Sequence, residues 1–254
     1  MKPIAIALVA ALSFTPLCAH AAAIDKKVTE AITAAIADPA RNADKPADAR
    51  RHAAELMAFA QVKPGDTVVD LIPGSGYWTR IFSAIVGPTG HVYMIWPTEY
   101  ANEDAEEVPL TQALAKDPHY ANVTLLNEPA AALSIPVKAD VVWTSQNYHD
   151  YFDKFMGPTD TKLLNDAVSN ALKPGGIYVV IDHVAEAGSG TRDTDTLHRV
   201  DPAVVRAQVP MAGFVFEAES TVLHNAADDH KVKVFDASIR GHTDQFAFRF
   251  RKPR

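Results

Sequence analysis

The sequence predicts an α/β chain with a mostly parallel, doubly wound sheet, and three observations predict it. Short apolar runs alternate with segments of helical periodicity from residue 47 onward. One such run, residues 91–96, is apolar on both faces, as a parallel strand covered by helices on each side must be. A third signal is the junction Thr67-Val68-Val69-Asp70-Leu71-Ile72-Pro73-Gly74-Ser75-Gly76-Tyr77-Trp78-Thr79-Arg80. There an apolar run ends near a carboxylate, crosses a Gly-x-Gly loop and enters helical spacing at Trp78, Ile81, Phe82 and Ile85.

The elements follow in order. Lys2 precedes an apolar run over residues 3–17, and Ala19-His20-Ala21 is a small-x-small cleavage site. Residues 1–21 therefore read as a secretory signal, too short and wrongly flanked for a membrane span. Leu17 stands before Cys18 where a lipid-anchored product needs a small residue. A soluble periplasmic or secreted product cut after Ala21 is expected, with no membrane anchor. The one cysteine, Cys18, leaves with the leader, so no disulfide framework or thiol chemistry remains. What remains suffices for one sizeable α/β domain. A formal charge of −7, with both signs well mixed, argues against nucleic acid as the main partner.

Residues 22–46 divide into a helix over 24–37, stopped by Asp38-Pro39, and a polar linker over 42–46. The domain over 47–254 opens with a helix at 47–60 that gathers Ala53, Leu56, Met57 and Ala60 on one face. Beyond the loop helix, strands are expected at 91–96, 123–126, 139–143 and 177–181, with a helix at 160–172 before the Lys173-Pro174-Gly175-Gly176 turn. The acidic patch over 103–107 reads as a solvated face. A polar loop at 186–196 and a helix through Val204 come next. Strands at 214–222 and 245–250 have no helix between them and are open to antiparallel pairing. Their connection carries an apolar island at 232–239.

The glycine loop has a chemical use. Its glycines let a ligand approach the backbone, and the helix N-terminus presents unpaired N–H groups at the carboxyl end of the strand. The lead-in Val62-Lys63-Pro64-Gly65-Asp66, the Asp70 loop and the stretch Leu172-Lys173-Pro174-Gly175-Gly176-Ile177-Tyr178-Val179-Val180 together resemble class I S-adenosylmethionine (SAM) dependent methyltransferases. Further details resemble a secreted methyltransferase-like group: Asn147-Tyr148-His149-Asp150 after strand four, Asp195-Thr196-Leu197-His198-Arg199 and Arg240-Gly241-His242-Thr243-Asp244-Gln245. The resemblance covers residue 47 to the C-terminus. It implies a seven-stranded, Rossmann-like sheet with an antiparallel last strand, SAM as cofactor, and a small or medium-sized acceptor methylated on oxygen or nitrogen.

Carried over position by position, the resemblance assigns Asp70, Pro73, Gly74, Ser75, Gly76 and Tyr77 to the cofactor loop. Ile72 takes the place of the usual first glycine. Because a β-branched residue rarely adopts φ above zero, the loop is expected to turn differently. Trp96 stands where the family has a ribose-binding acid, and tryptophan accepts no hydroxyl protons. Glu99 is the substitute within reach, with Trp96 open to stacking on a flat group or to the core. Asn127 and Glu128 fall where the family contacts the adenine edge.

Methyl transfer to a weakly nucleophilic hydroxyl needs alignment and a base. His149 is the candidate proton acceptor, Asp150 its orienting partner and Asn147 a third catalytic candidate; Tyr148, His183, His198 and Arg199 are candidates for substrate contact. Tyr148 and His149 are equally open to a capping role. Arg192, Arg199 and Arg240 are suited to an anionic substrate or to pairing with acidic neighbours. The histidines show no linear metal motif and no metal is expected, although Asp182, His183 and His198 are open to assembly in three dimensions. Two other classes compete with methyl transfer. An exported small-molecule-binding protein without catalysis accommodates Ile72, Trp96 and a leader that sends the chain away from cytosolic SAM. A nicotinamide oxidoreductase is disfavoured, because the loop lacks Gly-x-Gly-x-x-Gly and no acid closes strand two.

Overall fold

The computed structural model describes residues 25–103, 106–156 and 160–254; the expected leader over residues 1–21, Cys18 included, lies outside them. Helix α1 (Lys26–Ala37) starts where the Asp25 carboxylate accepts the Lys27 N–H, a cap of about 1 kcal/mol. It buries Ile32 and Ala35 and packs against the helix of the glycine loop. Helix α2 (Ala53–Ala60) is shorter than expected, because His52 is left-handed (φ 48°) and residues 45–47 form a separate 3₁₀ turn. Its predicted face of Ala53, Leu56, Met57 and Ala60 is buried throughout.

Strand β1 (Thr67–Leu71) leads through the loop into α3 (Tyr77–Val86), whose Trp78, Ile81, Phe82 and Ile85 are all buried. Next come β2 (His91–Pro97), α4 (Thr98–Glu103), α5 (Glu107–Leu114), β3 (Val123–Glu128), β4 (Ala139–Ser145) and α6 (Thr161–Ala171). Asp160 caps α6 by accepting the Lys162 N–H. Strand β5 (Leu172–His183) absorbs Lys173-Pro174-Gly175-Gly176, expected as a turn: Leu172 already pairs with Ala139, and a register shift precedes the Ile177 pairing with Val141. The helix expected through Val204 is two, α7 (Thr194–Leu197) and α8 (Pro202–Gln208), separated where Val200 bridges Val184. Strands β6 (Val215–Ser220) and β7 (Gln245–Arg251) complete the chain.

The sheet order is β3-β2-β1-β4-β5-β7-β6, with β1 to β5 parallel and β7 antiparallel to both of its neighbours. The expected antiparallel closure is therefore present. Side chains alternate between two apolar layers: Val69 and Leu71 join the one with Leu164 and Val205, whereas Val68 joins the one with Phe82 and Leu56. Strand order reverses between β1 and β4. In an open α/β sheet the crevice for a ligand opens above that point, at the carboxyl ends of the strands.

Candidate functional site

Beyond β1, the Ile72 N–H donates to the Ile95 carbonyl (2.9 Å), and the residue itself is left-handed with φ 56°. The loop thus takes the positive-φ turn that glycine ordinarily supplies, at a cost of about 1–2 kcal/mol for a side chain with a β-carbon. The expectation of a different turn does not hold. Two contacts hold the conformation: Ile72 is 4% exposed in the core, and Asn147 Nδ2 donates to its carbonyl (3.0 Å). Gly74 (φ 57°) and Gly76 (φ 83°) continue the bend; a β-carbon on Gly74 would stand 3.2 Å from Glu107 Oε2.

Asp70 does not face the crevice. It is 1% exposed on the Val68 face of β1, under α3, where Thr79 Oγ1 donates to its Oδ2 at 2.5 Å. Burial pushes this carboxyl up to about 7, against the Thr79 hydrogen bonds and the Arg51 charge. Its place is that of a strut between strand and helix.

A cavity of about 420 Å³ opens above the β1/β4 reversal. Ile72, Pro73, Gly74, Ser75, Tyr77 and Trp78 from the loop and the start of α3 line it, as do Ser145, Gln146 and Asn147 at and just beyond the end of β4. Arg51, Tyr100, Glu106 and Glu107 complete the lining together with His149, Asp150, His183, His198, Val234 and Phe235. The size is that of a pocket for a medium-sized ligand, about 300–1,000 Å³. Three carboxylates, two amides, two serine and two tyrosine hydroxyls, three imidazoles and the Arg51 guanidinium suit a guest with charges of both signs, hydroxyls and a flat ring.

His149 is held on both ring nitrogens. Nδ1 donates to Asp182 Oδ1 (2.8 Å), Nε2 lies 3.2 Å from Asp150 Oδ1, and the backbone N–H donates to Asp182 Oδ2 (2.7 Å). Burial opposes a charged ring, yet the Asp182 and Asp150 carboxylates outweigh it and raise His149 well above the ordinary histidine value. A ring already protonated between two carboxylates is no proton acceptor, which corrects the expected role. The orienting group is Asp182 as well as Asp150. Asp182 is fully buried; desolvation opposes its charge, but His149 keeps it below the usual carboxylate range. His183 also donates its backbone N–H to Asp182, and burial lowers its ring to about 3, so it stands neutral with Nδ1 2.7 Å from Thr243 Oγ1.

Several expected contacts are not brought to the cavity. Trp96 is wholly buried, donating Nε1–H to Thr111 Oγ1 (2.9 Å), so it belongs to the core and does not line the cavity. Glu99, in the first turn of α4, accepts the Ala130 N–H (3.1 Å) and does not line the cavity. Asn127 and Glu128, at the end of β3, pair with Trp96 and Pro97 of β2 and do not line the cavity. Tyr148 is wholly buried, its hydroxyl taking the Asn165 Nδ2 hydrogen bond (2.9 Å). Arg199, also wholly buried, is committed to Asp228 (2.9 and 3.1 Å) and to the carbonyls of Val184 and Val232, and does not line the cavity. Sequence reasoning missed Arg51, Gln146 and Phe235. It also set aside the one acidic patch that supplies Glu107.

No family model matches the chain. It is 30% identical over 127 residues to a protein-L-isoaspartate O-methyltransferase of Ignicoccus hospitalis, covering 50% of this chain and 52% of that one. It is 27% identical over 192 residues to the ubiquinone/menaquinone biosynthesis C-methyltransferase UbiE of Ectopseudomonas mendocina, covering 74% and 64%. The matches thus span about half to two thirds of these curated relatives. A SAM-dependent methyltransferase structure from Aquifex aeolicus superposes with a TM-score of 0.55 at 16% identity, over 88% of this chain and 97% of that one. The [4+2]-cyclase SpnF gives 0.58 at 18% identity, over 80% and 82%. The seven-stranded fold is that of class I SAM-dependent methyltransferases.

Proposed function

We propose that this chain is a SAM-dependent methyltransferase that binds its cofactor in the cavity above the β1/β4 reversal and methylates a small or medium-sized acceptor on oxygen or nitrogen. The observation that carries the reading is the placement of that cavity against loop residues 72–75. The named activities of both curated relatives support it. They differ in the atom class methylated and leave the acceptor open.

When bound, SAM supplies a methyl group on positively charged sulfur. The protein's part is alignment and charge complementarity. Gly74 and Ser75 let the amino-acid end approach the backbone, and the Glu107 carboxylate above Gly74 takes the hydroxyl-accepting role that Trp96 cannot fill. Asn147 keeps the loop in shape by holding the Ile72 carbonyl. His149, Asp150, His183 and His198 then face the acceptor's side of the cavity.

Affiliation with the secreted methyltransferase-like group, and delivery to the periplasm or exterior by residues 1–21, form part of the same proposal. They rest on Asn147-Tyr148-His149-Asp150 and on the leader pattern. The mass of the chain recovered from outside the cytosol tests delivery: cleavage after Ala21 is expected, and an intact residue 1–21 segment refutes it.

A second reading, a non-catalytic binder with this fold, is favoured by Trp96, wholly buried at the place where the family has its ribose-binding acid. Calorimetry with SAM and with its demethylated product separates the two. Saturable binding of both supports the transferase; no heat at millimolar ligand, with another small molecule released on denaturation, supports the binder.

A further inference from the structure

We infer that His149, Asp150 and His198 form a binding site for a divalent first-row transition metal of the zinc class, open to the cavity. His149 Nε2 lies 3.2 Å from Asp150 Oδ1 and 3.3 Å from His198 Nδ1, and the latter two atoms are 4.0 Å apart. A triangle with these sides has its centre about 2.1 Å from every corner, which is the zinc–nitrogen and zinc–oxygen bond length. The three donor atoms are therefore spaced to share one ion. Their rings meet edge to face at 86°, with centroids 5.3 Å apart, so the imidazoles do not compete for the same space.

The surroundings are those of a metal site. Because a carboxylate only accepts, the Asp182 bond fixes a proton on His149 Nδ1 and leaves Nε2, aimed at Asp150 and His198, as the nitrogen whose proton a metal displaces. This carboxylate–histidine arrangement is the usual outer support of a metal-bound imidazole. Asp150 and Asp182 are both buried, and a dication that displaces the His149 Nε2 proton leaves the two carboxylates balanced. His198 is held there by a left-handed backbone (φ 54°) and by Phe235, whose ring centroid is 4.9 Å away. Two imidazoles and one carboxylate favour zinc, iron or cobalt over magnesium or calcium.

All three ligands line the 420 Å³ cavity, so the remaining coordination positions face it. Three protein ligands with an open position is the pattern of a catalytic rather than a purely structural ion. An oxygen or nitrogen of the acceptor would occupy that position. This last step rests on the methyltransferase reading, whereas metal binding itself does not.

The test is calorimetric titration of the full chain, stripped of metal, with zinc chloride and separately with magnesium chloride; cobalt chloride gives a parallel visible spectrum. One equivalent of zinc is expected, with ligand-field bands for cobalt and no magnesium binding. His198→Ala, a partly exposed position, and Asp150→Asn should each weaken zinc about 100-fold and abolish the cobalt bands. Asp182→Asn should weaken zinc about 10–100-fold. His224→Ala, in the separate pair that His224 and His230 make with Asp244, should change nothing. The inference is overturned if folded His198→Ala binds zinc within about threefold of the parent, if His224→Ala carries the loss, or if the parent takes up no zinc. Zinc bound by a chain that ignores SAM removes the methyltransferase reading and leaves the metal site standing.

Discussion

Replacing Asp70 by asparagine should remove a pH dependence of stability and raise stability in alkali. The Asp70 carboxyl stands at about 7 in the folded chain against an ordinary 3.8. A difference of about 3 pKa units corresponds to about 4 kcal/mol, which is the ceiling for this one group. The sign follows from proton binding. Between about pH 4 and 7 the folded state keeps a proton that the unfolded state has lost, so stability is greatest below 4, declines across the interval and levels off above 7. In Asp70→Asn the side-chain amide retains an acceptor for Thr79 Oγ1 and carries no charge. Urea unfolding of parent and Asp70→Asn at about pH 4 and pH 8 gives the comparison, because Asp66 and Asp153, both raised to about 6 chiefly by burial, contribute equally to both. The variant should gain up to about 4 kcal/mol relative to the parent on going from the acid to the alkaline condition. A constant offset between the two proteins at both pH values would refute the assignment of Asp70 as a buried strut. SAM affinity should survive the substitution, since Asp70 does not line the cavity.

Ile72→Gly should be more stable than Ile72→Ala by about 1 kcal/mol in denaturant melts, reversing the usual order, because only glycine is relieved of the left-handed penalty. Arg199→Met should destabilise by about 3–5 kcal/mol in urea unfolding, since Asp228 is left charged and without its guanidinium; an effect below about 1 kcal/mol would contradict the pairing. Asn147→Ala should cost about 1–2 kcal/mol of stability and weaken SAM binding by loosening the Ile72 carbonyl, whereas unchanged affinity would separate that carbonyl from the cofactor.

The fold was largely legible because buried parallel strands leave apolar runs and because Asp25 and Asp160 mark helix starts directly. The late start of α2 was not: residues 47–52 suit a helix, and no local pattern announces the left-handed backbone at His52. Pro73, Gly74, Ser75, Tyr77, Asn147, His149, Asp150, His183 and His198 were found because each follows a strand end or a motif. Asp70 was misplaced although period-two alternation puts it with Val68, beneath α3. Glu107 and Phe235 reach the cavity across long stretches of chain, and no local pattern announces that. The charge of His149 depends on Asp182, 33 residues away, whose approach only the β4–β5 pairing creates.

Diffraction from crystals of the full chain soaked in SAM tests the central claim most directly. The account predicts density for an adenosyl sulfonium in the cavity, its amino-acid end against residues 72–76 and its ribose at Glu107. Saturating ligand that leaves this cavity without such density, or that settles at another surface, would contradict it.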